Sequence, residues 1–448
     1  MKKYKTSDIR NVALVGHSGS GKTSLTEAIL YATGAIQRPG KIENGSTVSD
    51  FTKEEIDRAI SISLSLLPVE WKNKKVNFLD APGYFDFASQ VLTALKAAES
   101  ALMVIDASAG VEVGSEIYWN YTEKISLPRI IFLNKMDKPN VNFNERISEL
   151  HQKFGKKVLP LTLAIGSGEN FEGLIDIMDR KAYKYDGNKA TEIPIPDGQE
   201  EEIQAAYEEL VEVIAMSDDT LMEKYFEGEE FSEEEVRTGM TKAITTGLAV
   251  PLIAGCAITG AGTDLLLDAI TQYLPAPDNA DANSGFHVLE GEAQPMDPSA
   301  SFSGAIFKTS IDPYVGKISY IKVLSGTLAK GEIYNASKKL KERPAGMFYL
   351  RGKEQIETSE LVAGDIGALS KLDKTETGDT LSDPAKPVVF KLMKLPEPTL
   401  TFAIVADTKA DEDKMSQSLA KLAQEDPTFS IENNQETKQL LKIGRAHV

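Results

Sequence analysis

Eight residues near the N-terminus, Gly16-His17-Ser18-Gly19-Ser20-Gly21-Lys22-Thr23, follow the spacing G-x-x-x-x-G-K-[ST]. Glycines at these points let the backbone wrap closely enough for successive N–H groups to face phosphate oxygens. The Lys22 ammonium would then reach the outer phosphates, and the Thr23 hydroxyl, followed by Ser24, would ligate Mg²⁺. The competing reading is a chance Gly/Ser-rich turn. The strand-like Val12–Val15 before it and the helix-like Ser24–Ala32 after it argue against chance. Asp80-Ala81-Pro82-Gly83 ends a second apolar run. Its carboxylate could hold the cation, and the Gly83 N–H could sense a terminal phosphate. A D-x-P-G alone is a common turn, so it gains meaning only beside the first motif.

Asn134-Lys135-Met136-Asp137 ends another apolar run. Guanine presents two adjacent donors that one carboxylate can accept together, and adenine does not. Asp137 would supply that carboxylate, and the Lys135 methylenes would cover the base. The bland alternative is a solvated helix cap. Gly255-Cys256-Ala257 closes a further run and could offer N–H groups to the base oxygen. Cys256 reads as a small buried residue rather than a reactive thiol. Between the phosphate loop and Asp80 lies Asp57-Arg58-Ala59-Ile60-Ser61-Ile62. Ser61 is the hydroxyl there that would close on the cation, though an exposed serine in a strand fits the sequence nearly as well.

These residues need a scaffold that brings strand ends together. Val12–Val15, Val76–Leu79, Ala101–Ile105, Arg129–Leu133 and Val250–Ala254 are short apolar runs between helical stretches. That pattern suits an α/β domain with a doubly wound, mainly parallel sheet, which binds ligands at the C-terminal ends of its strands. From about 159 to 249 the pattern is interrupted by an inserted α/β subdomain. A strand is expected at Leu159–Ile165, and a helix capped by Asp197 with the apolar face Ile203, Tyr207, Leu210, Ile214. Residues 276–301 read as a linker after a first domain of 1–275. Residues 302–396 read as an all-β barrel, and 397–448 as an incomplete third α/β unit.

With 448 residues the chain has room for about three domains. Its net charge is −18, and the stretch Asp197–Glu235 carries sixteen acidic residues against one lysine. That argues against a basic nucleic-acid-coating face and against sequence-specific DNA binding. Cys256 is the single cysteine, so no intramolecular disulfide forms, and no run of apolar residues is long enough to span a membrane. A cytoplasmic, monomeric protein is expected.

The order of these motifs resembles the translational GTPases, and among them elongation factor G and its G-like paralogues. The likeness extends beyond the nucleotide motifs to Phe171-Glu172-Gly173-Leu174-Ile175-Asp176 in the insertion and Asp312-Pro313-Tyr314-Val315-Gly316 and Thr377-Gly378-Asp379 in the barrel. It continues through Pro396-Glu397-Pro398 and Leu422–Phe429 in the third unit, where a ferredoxin-like fold is implied. The resemblance implies GTP and GDP as ligands, Mg²⁺ held by Thr23, Ser61 and Asp80, and the ribosome as partner. It also implies hydrolysis in which Lys22, Gly83 and Tyr84 take part. A facing ribosomal stalk is implied for the acidic insertion. The family's water-positioning histidine is here Tyr84, a frequent loop aspartate is Gly19, Arg-Gly-Ile-Thr-Ile is Arg58-Ala59-Ile60-Ser61-Ile62, and Ser-Ala is Cys256-Ala257. The chain also stops inside its third unit, with 443–448 expected to be an unrelated tail. Two further readings stay open: a GTP-dependent ribosome-binding module with little hydrolysis, and an ATP-using kinase, which Asn134–Asp137 disfavours.

Overall fold

The computed structural model describes every residue except 280–285, 293–294, 393–399, 407, 427, 435–438 and 445–448. Pro396-Glu397-Pro398, part of the linker and the end of the expected tail therefore lie outside the described residues.

The N-terminal domain runs β1 (Ile9–Val15), α1 (Lys22–Ala32), α2 (Lys53–Arg58), β2 (Ser65–Trp71), β3 (Lys74–Asp80), α3 (Ala88–Ala97), β4 (Ser100–Asp106), α4 (Val113–Lys124), β5 (Arg129–Asn134), α5 (Phe143–Phe154) and β6 (Val158–Pro160). The insertion follows with β7 (Thr162–Ile165), β8 (Gly173–Asp176), β9 (Lys181–Asp186), β10 (Lys189–Ile193), α6 (Glu200–Met216), α7 (Asp219–Glu227) and α8 (Glu233–Thr245); β11 (Val250–Ala254) and α9 (Thr263–Tyr273) then complete the domain. The main sheet has the order β2-β3-β1-β4-β5-β11-β6, and every pair but β2–β3 is parallel. Every residue of β1, β4, β5 and β11 is buried, as strands covered on both faces require. Strand β2 carries Pro68, which cannot donate to a ladder, and it lies at the sheet edge.

The expected strand Leu159–Ile165 is two strands. β6 pairs with β11 in the main sheet, whereas β7 opens the separate four-stranded antiparallel sheet β10-β9-β8-β7. Asp197 does not cap α6. The N-cap is Gln199, two residues later, and it makes no side-chain cap. Its apolar face is as expected: Ile203, Leu210 and Ile214 are buried.

The linker region contains a strand, Phe286–Glu290, paired antiparallel with Val389–Leu392. Beyond it lies an antiparallel β domain whose main sheet has eight strands, led by the hairpin Ser303–Asp312 and Gly316–Ser325. The last unit has a helix, Lys409–Glu425, and a sheet in which Gln439–Gly444 runs between Leu400–Ile404 and Ser430–Asn434. Ile443 and Gly444, expected to open an unrelated tail, pair within this sheet.

A buried polar seam joins the first two domains. Lys75 on β3 donates to both Asp365 carboxylate oxygens at 2.7 and 2.9 Å, and Lys322 donates to Glu99 at 2.6 Å. All four side chains are at most 3% exposed. Asn11 and Asn77 link the pairs, through Asn11 to Glu99 and Asn77 to both Asn11 and Asp365.

Candidate functional site

Strands β1, β3, β4, β5 and β11 end on one side of the sheet, and the site residues hang from those ends. Gly16, Gly19 and Gly21 adopt φ of 152°, 81° and 96°, the last as N-cap of α1. A Cβ on Gly16 would lie 2.3 Å from the Val104 carbonyl, and one on Gly21 2.3 Å from Asn134 Nδ2. Glycine is required there by contact as well as by φ. The loop thus turns its amides into the N-terminus of α1, where Lys22, Thr23 and Ser24 form the first turn. His17 is fixed beside it by Gly114, whose N–H lies 3.3 Å from Nδ1.

Lys22 folds across the loop, donating to the carbonyls of Gly16 at 2.9 Å and His17 at 3.0 Å. Burial pulls its ammonium below the ordinary lysine range, against the attraction of Asp80 and Asp50. Gly83 lies against the same loop, since a Cβ there would meet Lys22 Nζ at 2.5 Å and Ser18 Cα at 2.8 Å. Tyr84, one residue on, is 44% exposed. It does not pack as a buried aromatic. Phe85 instead takes the place beside His17, with ring centroids 6.2 Å apart.

Two oxygen-bearing side chains meet Thr23. Its Oγ1 lies 3.2 Å from Ser61 Oγ and 3.3 Å from Asp50 Oδ2. Asp80 sits behind them, 3.5 Å from Thr26 Oγ1, and its Oδ1 is buried with no hydrogen-bond partner. Burial, then the neighbouring Asp50 charge, push the Asp80 carboxyl well up. Burial likewise pushes Asp50 up to about 6, despite the Ser61 and Thr23 hydroxyls. Carboxylates held this way, one with an orphaned oxygen, suit a cation that replaces protons. Among the described residues no group of three or more His, Cys, Asp or Glu side chains forms a self-sufficient metal cage. Two carboxylates and two hydroxyls instead fit the sparse protein coordination of Mg²⁺, which keeps waters and shares phosphate oxygens. Asp50 was not legible as a site residue, because no motif surrounds it. The first two residues of Asp57–Ile62 are the end of α2, which opens on a capping box between Thr52 and Glu55. Ala59 ends that helix at φ 52°, the left-handed conformation for which glycine is the ordinary residue.

At the base-reading end, Asn134 acts as a stitch. Its Nδ2 donates to the Ser20 carbonyl at 2.8 Å, and its Oδ1 accepts the Ala257 N–H at 2.9 Å. The Cys256 N–H is bonded to the Ala261 carbonyl at 3.0 Å. Both amides expected to meet a base oxygen are therefore engaged within the protein, and what they visibly do is brace Asn134 and the turn after β11. Lys135, at φ 63°, lays its stem across the loop and donates to the Gly19 carbonyl at 2.7 Å and Asp106 at 2.5 Å. Asp137 Oδ1 is buried without a partner, an acceptor waiting for donors. Burial pushes the Cys256 thiol up, and a hydrogen bond to Asp137 pushes the same way.

Residues 7–276 match the elongation factor Tu GTP-binding domain. The chain belongs to the elongation factor G-like translational GTPases. Residues 301–384 match elongation factor G domain 2, and 395–447 match elongation factor G domain III. The latter match runs through most of the stretch expected to be an unrelated tail. Elongation factor G of Thermotoga maritima is 37% identical over 442 residues, 97% of this chain and 64% of that protein. A crystal structure of a protein from Thermus thermophilus superposes with a TM-score of 0.87 at 31% identity, over 98% of this chain and 64% of that one. The chain thus spans about 64% of the length of these relatives. A family built on this GTP-binding domain binds guanine nucleotide, and no described helix is long and apolar enough to cross a membrane.

Proposed function

We propose that the chain binds GTP with Mg²⁺ and hydrolyses it to GDP and phosphate, in a step stimulated by the ribosome and used in an elongation or translocation-type movement. The observation that carries this reading is the convergence of Lys22, Thr23, Asp80 and Asp137 at the ends of β1, β3 and β5 on one side of one sheet. Asp137 would accept the two adjacent donors of guanine, and Lys135 would cover the base. Thr23, Ser61 and Asp80 would hold Mg²⁺, with Asp50 beside them; the ion, when bound, neutralises phosphate charge. The loop amides and Lys22 would stabilise charge on the transferred phosphoryl group. Titration with GTP, GDP and ATP analogues tests the reading. Asp137→Asn should weaken guanine-nucleotide binding by about 10²–10³-fold, the worth of two hydrogen bonds to a charged group. Tight ATP binding that survives this substitution sinks it.

Tyr84 would contact the attacking water through a neutral O–H, without the charged donor state open to imidazole. Its exposure favours a second reading, a GTP-dependent ribosome ligand that turns over slowly. Phosphate release with and without ribosomes separates the two. Tyr84→His should raise ribosome-stimulated turnover about tenfold or more, within the usual worth of a positioned acid–base group. No ribosome stimulation in either protein demotes the enzyme reading. We also assign the acidic face of α6 to steering toward a basic stalk surface, for a monomeric factor working in the cytoplasm. A ribosome association rate equal at low and high salt in the same assay removes that assignment.

A further inference from the structure

Glu27 and Glu55 belong to none of the nucleotide motifs, yet they are 2% and 1% exposed. Both spend their carboxylates on the backbone of the segment between the phosphate loop and β2. Glu27, on α1, accepts the N–H of Gly40 through Oε2 and of Val48 through Oε1, each at 2.6 Å. Glu55 accepts the N–H groups of Ile62 at 3.1 Å and Ser63 at 3.0 Å through Oε1. Its Oε2 takes the Thr52 N–H at 3.1 Å and the Thr52 hydroxyl at 2.8 Å. A buried carboxylate is costly unless its lone pairs are filled, and for Glu55, Thr52 before α2 and Ile62 and Ser63 after it fill them. The two amides clamped by Oε1 directly follow Ser61, so the clamp fixes where that hydroxyl points. The result is the 3.2 Å approach of Ser61 Oγ to Thr23 Oγ1.

We propose that Glu55 is a positioning residue that sets the preference for nucleoside triphosphate over diphosphate by holding Ser61 against Thr23 through the amides of Ile62 and Ser63. The proposal rests on the GTP–Mg²⁺ reading above. Ser61 can contribute only where a terminal phosphate and its cation are present, so loosening it weakens triphosphate binding and leaves diphosphate binding alone. The capping half of Glu55 has no such selectivity. Glu55→Gln keeps one oxygen for Ile62 and Ser63 and turns its NH₂ toward Thr52, whose hydroxyl can accept but whose N–H loses its acceptor, so the damage falls on the capping half. Glu55→Ala removes both halves.

The test uses the full chain with a fluorescent GDP and a non-hydrolysable GTP analogue, each titrated across Mg²⁺ concentrations. Glu55→Ala should lower triphosphate affinity about tenfold or more while GDP affinity stays within about twofold, a coupling of ordinary size between sites. Its Mg²⁺ requirement for triphosphate should rise in parallel, and Glu55→Gln should keep most of the wild-type preference. Ser61→Ala should reproduce the lost preference, and adding Glu55→Ala to it should cost little more. If Glu55→Ala does not fold, Glu55→Asp, one methylene short, must show the same lost preference. Equal weakening of GDP and triphosphate, or an unchanged ratio between them, overturns the proposal. Failure of the unsubstituted chain to bind any guanine nucleotide overturns instead the reading on which it rests.

Discussion

If the chain hydrolyses GTP as proposed, Lys22→Ala is expected to lower ribosome-stimulated turnover by at least about 10²–10³-fold, the usual cost of removing one preorganised charge-stabilising donor. Lys22 Nζ is buried and held by the Gly16 and His17 carbonyls, at the spot where Gly83 also presses on the loop. Those carbonyls are weak partners for an ammonium, so the bonds are poised to be exchanged for phosphate oxygens. Burial disfavours its charge, so a triphosphate seated against it returns stabilisation that the lost water no longer gives. The loss should fall in turnover and in triphosphate affinity, with a smaller effect on GDP. Folding should change little, because the lost attraction to Asp80 and Asp50 is offset by removing a buried charge. Single-turnover phosphate release beside a thermal melt separates the two, and turnover within tenfold of the unsubstituted chain contradicts the role. The acid limb is set by the other partners. Asp50, raised to about 6, must lose its proton to attract the cation, so Mg²⁺-dependent binding should weaken as pH falls through that value.

The features legible in the sequence were those whose physics is local. Gly16, Gly19 and Gly21 announce a loop because only glycine tolerates both its φ values and its contacts, and Lys22-Thr23 follow at fixed spacing on the first helical turn. The fully buried strands β1, β4, β5 and β11 show as continuous apolar runs for the same local reason. What escaped depends on long-range placement. Asp50, Glu27 and Glu55 look like ordinary surface acids until the chain folds over Thr23 and buries them. Strand β2 carries a proline that reads as a breaker, which an edge position allows. The split of Leu159–Ile165 between two sheets has no periodic signature, because both halves are apolar. The committed amide of Ala257 follows from a partner far along the chain, Asn134, while that of Cys256 is taken by Ala261 in the turn after β11.

The seam between the first two domains yields the other large effect: Lys75→Met is expected to cost about 3–5 kcal/mol, the usual penalty for stranding half of a buried ion pair. Asp365 keeps donors from Tyr349 at 3.0 Å, Asn77 at 3.1 Å and the Ile366 amide at 2.8 Å, but none of them carries charge. The lysine also lies 3.3 Å from the Tyr349 ring centroid, so its loss removes packing as well. The reverse substitution, Asp365→Ala, should be milder on the charge term. Burial already pulls the Lys75 ammonium down, and without its partner it can shed the proton instead of remaining charged. Lys75→Met combined with Asp365→Asn should recover part of the loss. The asparagine oxygen, in the place of Oδ1, still accepts from Asn77 and the Ile366 amide, its NH₂ faces the Tyr349 hydroxyl, which can accept, and no lone charge is left in the seam. Urea unfolding followed by hydrogen exchange on each domain measures the difference, and a cost below about 1 kcal/mol for Lys75→Met alone would place the pair among the weak ones. If the cost is as large as expected, the seam is what holds the β domain to the start of β3, the strand whose far end carries Asp80.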